Sequence, residues 1–365
     1  AGSDELRNNI LLNANENPYP PPQRLSSCPN REWDTDAYNY YPQPQPRPLL
    51  TALAALYNAA PEQLIVGRGS DEGIDLLIRA FCDPQDAVAV CTPTFGVYRS
   101  YAEIQGCRIL ELPLEIKVLR PRTPNRAALL AAKLPVAALQ RAIANEAPKL
   151  LFVPNQLAPL GTMIPAQELE QLLELCSQHD VLLVVDEAYA EFAQVLEPAY
   201  QSCIPLQEKY PHLAVLRTLS KAYSLAGERI GTLLAAPELV QLLRPIQAPY
   251  PVPASIGRYV SALLEDRAAL QSMALRLEEL CAQHHPLFSL LESLPYVESI
   301  YTSAANFIMV QAGSHGEKLL RHCRRHGLIL RDFTGNLQGA LRISLGNAPQ
   351  MEQLAHALRG FAPVV

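Results

Sequence analysis

Lys221 stands in the string Thr218-Leu-Ser-Lys-Ala-Tyr-Ser-Leu-Ala-Gly-Glu-Arg229, which follows the apolar run Leu213 to Leu216. A lysine near a strand end, among small residues and hydroxyls, can be desolvated enough to act as a neutral amine, the species that condenses with an aldehyde. Arg229, eight residues on and two after Gly227, can offer its planar fork to a phosphate. A second constellation is Val181-Leu-Leu-Val-Val-Asp-Glu-Ala-Tyr189, in which five consecutive apolar residues imply a strand buried on both faces and ending in Asp186. Ligands of open α/β sheets sit at the carboxyl ends of such strands, and a carboxylate there needs a cationic or donating partner; a loop or N-cap aspartate is the plainer alternative. The third is Val66-Gly-Arg-Gly-Ser-Asp-Glu-Gly73, a glycine-bearing turn from strand to helix. Free amides at Gly69, Ser70 and Asp71 would cradle a phosphate, although Ser70 could equally be a simple N-cap. Asp71 and Glu72 suit the helix dipole but must turn their carboxylates away from any phosphate.

These residues need a scaffold that brings strand ends together. From about residue 49 short apolar runs alternate with amphipathic stretches, the pattern of βα units on a mostly parallel sheet. Strands are expected at 64–67, 87–91, 108–112, 150–153, 181–185, 213–217 and 230–235, with helices at 71–82, 94–105, 165–179 and 237–246. One long helical pattern runs from Ser255 towards Leu294, followed by strands and helices to Phe361 that read as a smaller α+β unit. The expected organisation is an extended, proline-rich arm at 1–48, a large α/β domain at 49–253 and a small domain at 254–365. The basic, Ala- and Leu-rich stretch Lys117 to Arg141 has no clear assignment.

Composition narrows the partners. With 365 residues, 49% of them hydrophobic, the chain can bury a large core, which excludes disorder. Net charge is −6 and no basic run could neutralise a nucleic-acid backbone. The 8 cysteines form no CxxC pair and read as reduced thiols of a cytoplasmic protein. Ala1 to Leu12, with Asp4, Glu5 and Arg7, reads as neither signal peptide nor lipidation motif, and the longest uncharged stretch, Leu150 to Gln167, carries three prolines, so no membrane association is expected. No metal site is expected either: His322 and His326 are one helical turn apart but lack a further ligand nearby.

The string Thr218 to Gly227 resembles the pyridoxal-phosphate attachment signature of class II aminotransferases, with Lys221 as the attachment lysine. Asp186-Glu-Ala-Tyr189, Gly67-x-Gly-Ser-Asp-Glu72, Pro93-Thr-Phe95 and Ala340-Leu-Arg-Ile-Ser344 follow in the expected order, so nearly the whole chain is similar to fold type I enzymes. More narrowly, Asn13-Ala-Asn-Glu-Asn-Pro18, Tyr41-Pro-Gln-Pro44, Arg68 to Cys82 and Leu328 to Asp332 resemble the histidinol-phosphate aminotransferases. The resemblance implies that Lys221 is joined to pyridoxal 5'-phosphate, that Asp186 keeps the pyridine nitrogen protonated as an electron sink, and that Tyr189 donates to the ring oxygen. It further implies that Phe95 stacks on the ring, and that Gly69, Ser70, Asp71, Thr218, Ser220 and Arg229 hold the phosphate. Tyr41 would reach the cofactor of a second subunit in a homodimer, and Arg331, Arg342 and Asn17 would bind the anionic ends of the substrates. Where the family has Asn-Asn-Pro-Thr-Gly, this chain reads Pro154-Asn-Gln-Leu-Ala-Pro-Leu-Gly161, and Asn155 or Gln156 is expected at the ring oxygen. The implied activity is transamination between histidinol phosphate and 2-oxoglutarate in histidine biosynthesis. Alternatives are an aromatic transaminase, a decarboxylase of a phosphorylated amino acid, and a non-catalytic binding protein of the same fold.

Overall fold

The computed structural model describes residues 9–21, 40–335, 337 and 339–362. Cys28, Pro22, Pro29 and the first eight positions therefore lie outside the described residues. In chain order the strands are β1 (Ile10–Leu12), β2 (Leu64–Arg68), β3 (Ala87–Thr92), β4 (Arg108–Pro113), β5 (Glu115–Arg120), β6 (Ala128–Lys133) and β7 (Leu150–Pro154). They continue as β8 (Leu182–Asp186), β9 (Leu213–Thr218), β10 (Ile230–Leu234), β11 (Ser299–Tyr301), β12 (Phe307–Gln311), β13 (Leu328–Phe333) and β14 (Ala340–Ser344).

The first sheet has the order β2-β10-β9-β8-β7-β3-β4. The run from β9 to β4 is parallel, and β10 pairs antiparallel with both β9 and β2. Its central strands are apolar without alternation because both faces are covered. Leu151, Val153, Leu183, Val185, Leu213 and Val215 enter one core, while Leu150, Phe152, Leu182, Val184, Ala214 and Leu216 enter the other. The parallel register sets Pro154 beside Asp186 and Asp186 beside Leu216, so the carboxyl ends of β7, β8 and β9 lie level. All seven strands expected for this sheet are present, within a residue or two at their ends.

The second sheet has the order β1-β13-β14-β12-β11-β6-β5 and is antiparallel except for the pairs β1–β13 and β6–β11. The unassigned stretch from Lys117 supplies β5, β6 and the start of a helix, and it joins this second sheet although it precedes β7 in the chain. Sheet membership thus does not follow a single cut near residue 253. The N-terminal segment is not wholly irregular: β1 pairs in register with β13, Ile10 opposite Leu328.

Among the described residues seven α-helices precede the long helical run, and two of them, the second and third, reach the site. The seven are α1 (Arg47–Tyr57), α2 (Ser70–Phe81), α3 (Gly96–Ile104), α4 (Val136–Glu146) and α5 (Ala166–Gln178), followed by the short α6 (Ala190–Leu196) and by α7 (Pro237–Leu243). The long pattern from Ser255 is three helices, α8 (Ala254–Glu265), α9 (Arg267–Cys281) and α10 (His284–Ser293), rather than one. Asp266 makes the break: its carboxylate accepts from the amides of Ala268 at 2.9 Å and Ala269 at 3.1 Å and starts α9 afresh. Helices α11 (Gly316–Arg325) and α12 (Ala348–Arg359) pack beside the second sheet. Among the described residues no helix is long and apolar enough to cross a membrane, and no group of three His, Cys, Asp or Glu could hold a metal ion.

Candidate active site

The ends of β7, β8 and β9, the N-termini of α2 and α3, the segment Asn13 to Asn15, and Arg331, Phe333 and Arg342 from the second sheet enclose a cavity of about 530 Å³. Asp186, Tyr189, Lys221, Gly69, Ser70, Asp71, Phe95, Thr218, Ser220, Arg229, Arg331 and Arg342, all singled out from sequence, lie on its wall.

The acid at the end of β8 is buried, and its two oxygens are spoken for. Tyr98 Oη donates to Oδ2 at 2.8 Å and the Ala188 amide to Oδ1 at 3.1 Å. Burial pushes the Asp186 carboxyl up to about 6, against the opposing effect of those two donors. Tyr98 is itself held by α3 and stacked on Phe152 at 4.9 Å, and burial with the adjacent carboxylate pushes its phenol well above the ordinary range, so it stays a donor. Sequence reading missed Tyr98. Its signal was its place three residues after Phe95, in the first turn of α3.

Behind this acid lies a buried ion cluster. Arg217, the residue before Thr218, pairs with Glu187 at 3.0 Å and with Glu191 at 2.5 Å. Glu187 also accepts from the Cys203 amide at 2.6 Å and from Ser202 Oγ at 2.6 Å. The cluster ties the end of β9 to the end of β8 and to α6, which fixes the spacing between Thr218 and Asp186.

A second corner is built for an anion. Gly69, at φ +79°, begins α2, whose first-turn amides have no intrahelical acceptor. A Cβ on Gly69 would come within 2.6 Å of Arg229 Nη2, and one on Gly231 would collide with the Gly69 backbone, so both positions must be glycine for loop, strand and guanidinium to meet. Arg229 reaches Ser220 Oγ at 3.4 Å and Asp71 Oδ2 at 3.4 Å, while Thr218 Oγ1 donates to Ser220 Oγ at 3.0 Å. The Asp71 carboxylate thus turns towards Arg229. Phe95, 40% exposed for all its size, stands on the wall between this corner and Asp186 in chain order, edge-on to Tyr98 at 5.6 Å.

The N-terminal segment closes the opposite side. Lys221 Nζ donates to the Ala14 carbonyl at 3.1 Å, and Arg342 Nη2 to the Asn13 carbonyl at 3.2 Å. Arg342 lies over Phe307 at 4.9 Å and near Phe333 at 5.7 Å; burial lowers its guanidinium from the usual arginine value. Arg331 is more exposed, 5.8 Å from the Phe333 ring. Asn15, which sequence reading gave no role, donates to Tyr189 Oη at 2.9 Å.

Asn155, Gln156 and Asn17, all expected at the site, do not line the cavity. Asn155 is buried with its side-chain oxygen accepting from the Ile164 amide at 3.2 Å, and the wall at this turn is made by Pro154, Ala158 and Pro159. Asn17 spends its side chain on the Ala222 carbonyl at 3.1 Å and the Tyr19 amide at 3.1 Å. Tyr41 is 82% exposed and stacked on Tyr250 at 4.6 Å, outside this chain's own cavity.

Among the described residues the wall carries four side-chain cations, Lys221, Arg229, Arg331 and Arg342, against two carboxylates, Asp71 and Asp186. A mostly parallel sheet presents an acid, an amine and an anion cradle at its strand ends, and paired arginines face them from a second sheet, the makings of an enzyme site for anionic ligands. A family model described as aminotransferase class I and II matches residues 7–358, and the chain belongs to that family, whose cofactor is pyridoxal 5'-phosphate. A histidinol-phosphate aminotransferase of Xylella fastidiosa is 39% identical over 367 residues, covering 100% of this chain and 93% of that one. Another, from Xanthomonas axonopodis pv. citri, is 38% identical over 98% of this chain and 92% of its own length. In three dimensions the chain is similar to the histidinol-phosphate aminotransferase from Sinorhizobium meliloti solved in complex with pyridoxal-5'-phosphate, with a TM-score of 0.80, 22% identity and coverage of 99% and 95%.

The wall fits such a cofactor. The cradle at Gly69 is one that a Cβ would fill, the cation excess matches a phosphate dianion, and Thr94 Oγ1 is buried on the wall with no hydrogen-bond partner.

Proposed function

We propose that this chain transfers the amino group of L-histidinol phosphate to 2-oxoglutarate, giving imidazole-acetol phosphate and L-glutamate, as a step of histidine biosynthesis. The observation that carries the reading is the division of cations in one cavity: Arg229 beside the amides of α2 at one end, Arg331 and Arg342 at the other, and Lys221 with them. That gives one anion position for the cofactor and a second for substrates whose anionic groups lie remote from the reacting nitrogen. The identity to histidinol-phosphate aminotransferases over the full chain supports the same substrate.

Pyridoxal phosphate, when bound, supplies a protonated ring that draws electrons from the substrate α-carbon. Gly69, Ser70, Asp71, Thr218, Ser220 and Arg229 hold its phosphate by backbone amides, hydroxyls and guanidinium. Phe95 would lie against the ring and Asp186 would accept the hydrogen of the ring nitrogen. Lys221 would anchor the cofactor and, as a free amine, would be the base that moves a proton at the substrate α-carbon. Tyr189 donates to the ring oxygen, the part the notched turn at Asn155 leaves to it. Arg342 and Arg331 take the substrate anions, with Arg342 packed over the Phe307 and Phe333 rings and donating to the Asn13 carbonyl.

The working form we propose is a cytoplasmic homodimer in which the exposed Tyr41 ring reaches the partner's cofactor. The seven described cysteines are all free and buried, in keeping with a reducing compartment. The test is a coupled assay with purified holoprotein: glutamate and imidazole-acetol phosphate formed in equal amounts from histidinol phosphate and 2-oxoglutarate. Release of carbon dioxide, or turnover of aromatic amino acids with histidinol phosphate inert, would refute the substrate assignment.

A further inference from the structure

Asn15 is 1% exposed and sits at φ +54°, a left-handed conformation that asparagine tolerates better than most residues. Every polar group it has is engaged. Its amide donates to Ser344 Oγ at 3.0 Å, its carbonyl accepts from Asn306 Nδ2 at 3.0 Å, and its side-chain Oδ1 accepts from Ser344 Oγ at 2.8 Å. A hydroxyl has one hydrogen. Ser344 Oγ thus accepts the Asn15 amide proton and gives its own hydrogen to Oδ1, so the side-chain oxygen is the end that lies at Ser344. Nδ2 is thereby turned to Tyr189 Oη at 2.9 Å.

We infer that Asn15 is a positioning residue: by donating to Tyr189 Oη it directs the phenolic hydrogen away from the N-terminal segment and into the cavity, making Tyr189 an obligate donor to the cofactor's ring oxygen. The inference rests on the transaminase reading. It matters here because Ala158 and Pro159, which carry no side-chain donor, form the wall at the 154–161 turn. Neighbouring carbonyls of the same segment hold Lys221 and Arg342, so residues 13–15 address the amine, the phenol and the substrate-side guanidinium at once.

Asn15→Gly removes the donor, suits the left-handed backbone and keeps both main-chain bonds. The experiment is a pH titration of the visible absorbance of the holoprotein for wild type, N15G, Y189F and the double variant, with thermal midpoints alongside. With the phenol free to turn away, N15G should raise the titration midpoint by about half a pH unit or more, at least about threefold in proton affinity. In the Y189F background the same change should have no further effect. N15D, which would accept the phenolic hydrogen and keep the Ser344 bond, should move the midpoint beyond N15G. A wild-type midpoint in N15G, with only the thermal midpoint lowered, would reduce Asn15 to a structural strap and overturn the inference; so would an equal shift in the Y189F background. Wild-type protein that forms no lysine-linked chromophore with pyridoxal phosphate would sink the transaminase reading as well, and that outcome is visible before any variant is made.

Discussion

Tyr98→Phe isolates the hydrogen bond that Asp186 depends on. The phenyl ring and its stacking on Phe152 are kept, and only the 2.8 Å donor to Oδ2 is lost. A hydrogen bond to a charged acceptor is worth about 1.5–3 kcal/mol, which is about 1–2 pH units. In the apoprotein the Asp186 carboxyl, already at about 6, should therefore move to about 7–8. The cofactor's cationic ring binds the ionised acid, so affinity for pyridoxal phosphate should rise with pH through that value. At pH 6 the wild-type carboxyl is about half ionised and the variant's about 1–10%, a loss of about five- to fiftyfold in cofactor affinity that narrows towards pH 9. Equilibrium binding of pyridoxal phosphate to apoprotein, followed by visible absorbance from pH 5 to 9, reads both the size and the shift of the limb. A limb at the wild-type pH would mean that the Tyr98 contact does not govern the acid.

The same acid predicts how cofactor and stability are linked. Its folded-state value lies above the ordinary 3.8, so its contribution to apoprotein stability is complete at low pH and is lost as pH rises to about 6, a change of about 3 kcal/mol. A cationic ring beside it reverses the preference, so the difference in thermal midpoint between holo- and apoprotein should widen from pH 5 to 7.5; a gap that stays constant or shrinks would contradict the pairing. Arg217→Met leaves Glu187 and Glu191 buried without their cation and should cost about 3–5 kcal/mol in chemical denaturation, whereas a loss under 1 kcal/mol would show that water reaches the cluster. Arg342→Ala should lower kcat/KM about ten- to a hundredfold for both substrates, mainly through KM, and unchanged KM values would remove Arg342 from the anion position.

What could be read from sequence follows from burial. Strands β7, β8 and β9 are covered on both faces, and their unbroken apolar runs marked them and the strand-end acid alike. Strand β5 is exposed along nearly its whole length, and the alternation of Ile116 and Val118 with Glu115 and Lys117 is too short to set it apart within a basic stretch. The helical run from Ser255 kept its period through Asp266, where a side chain capping the next helix, invisible to periodicity, makes the break. In the site, residues that share a local string arrived together: Thr218, Ser220, Lys221 and Arg229, or Gly69, Ser70 and Asp71. Tyr98 and Asn15 were missed because each acts through a hydrogen bond to a residue far along the chain, Asp186 and Tyr189 respectively. Asn155 fails at the turn because spacing alone does not say which side chain an insertion turns inward.

The covalent anchor can be located directly. Holoprotein prepared with pyridoxal phosphate is reduced with borohydride, digested, and the phosphopyridoxyl group is placed by mass spectrometry among the lysines at 117, 133, 149, 209, 221 and 318. Stoichiometric label on Lys221, with the chromophore lost in Lys221→Ala, is the result this account requires. Label spread over the exposed lysines, or settled on another of them while Lys221 stays unmodified, would contradict it.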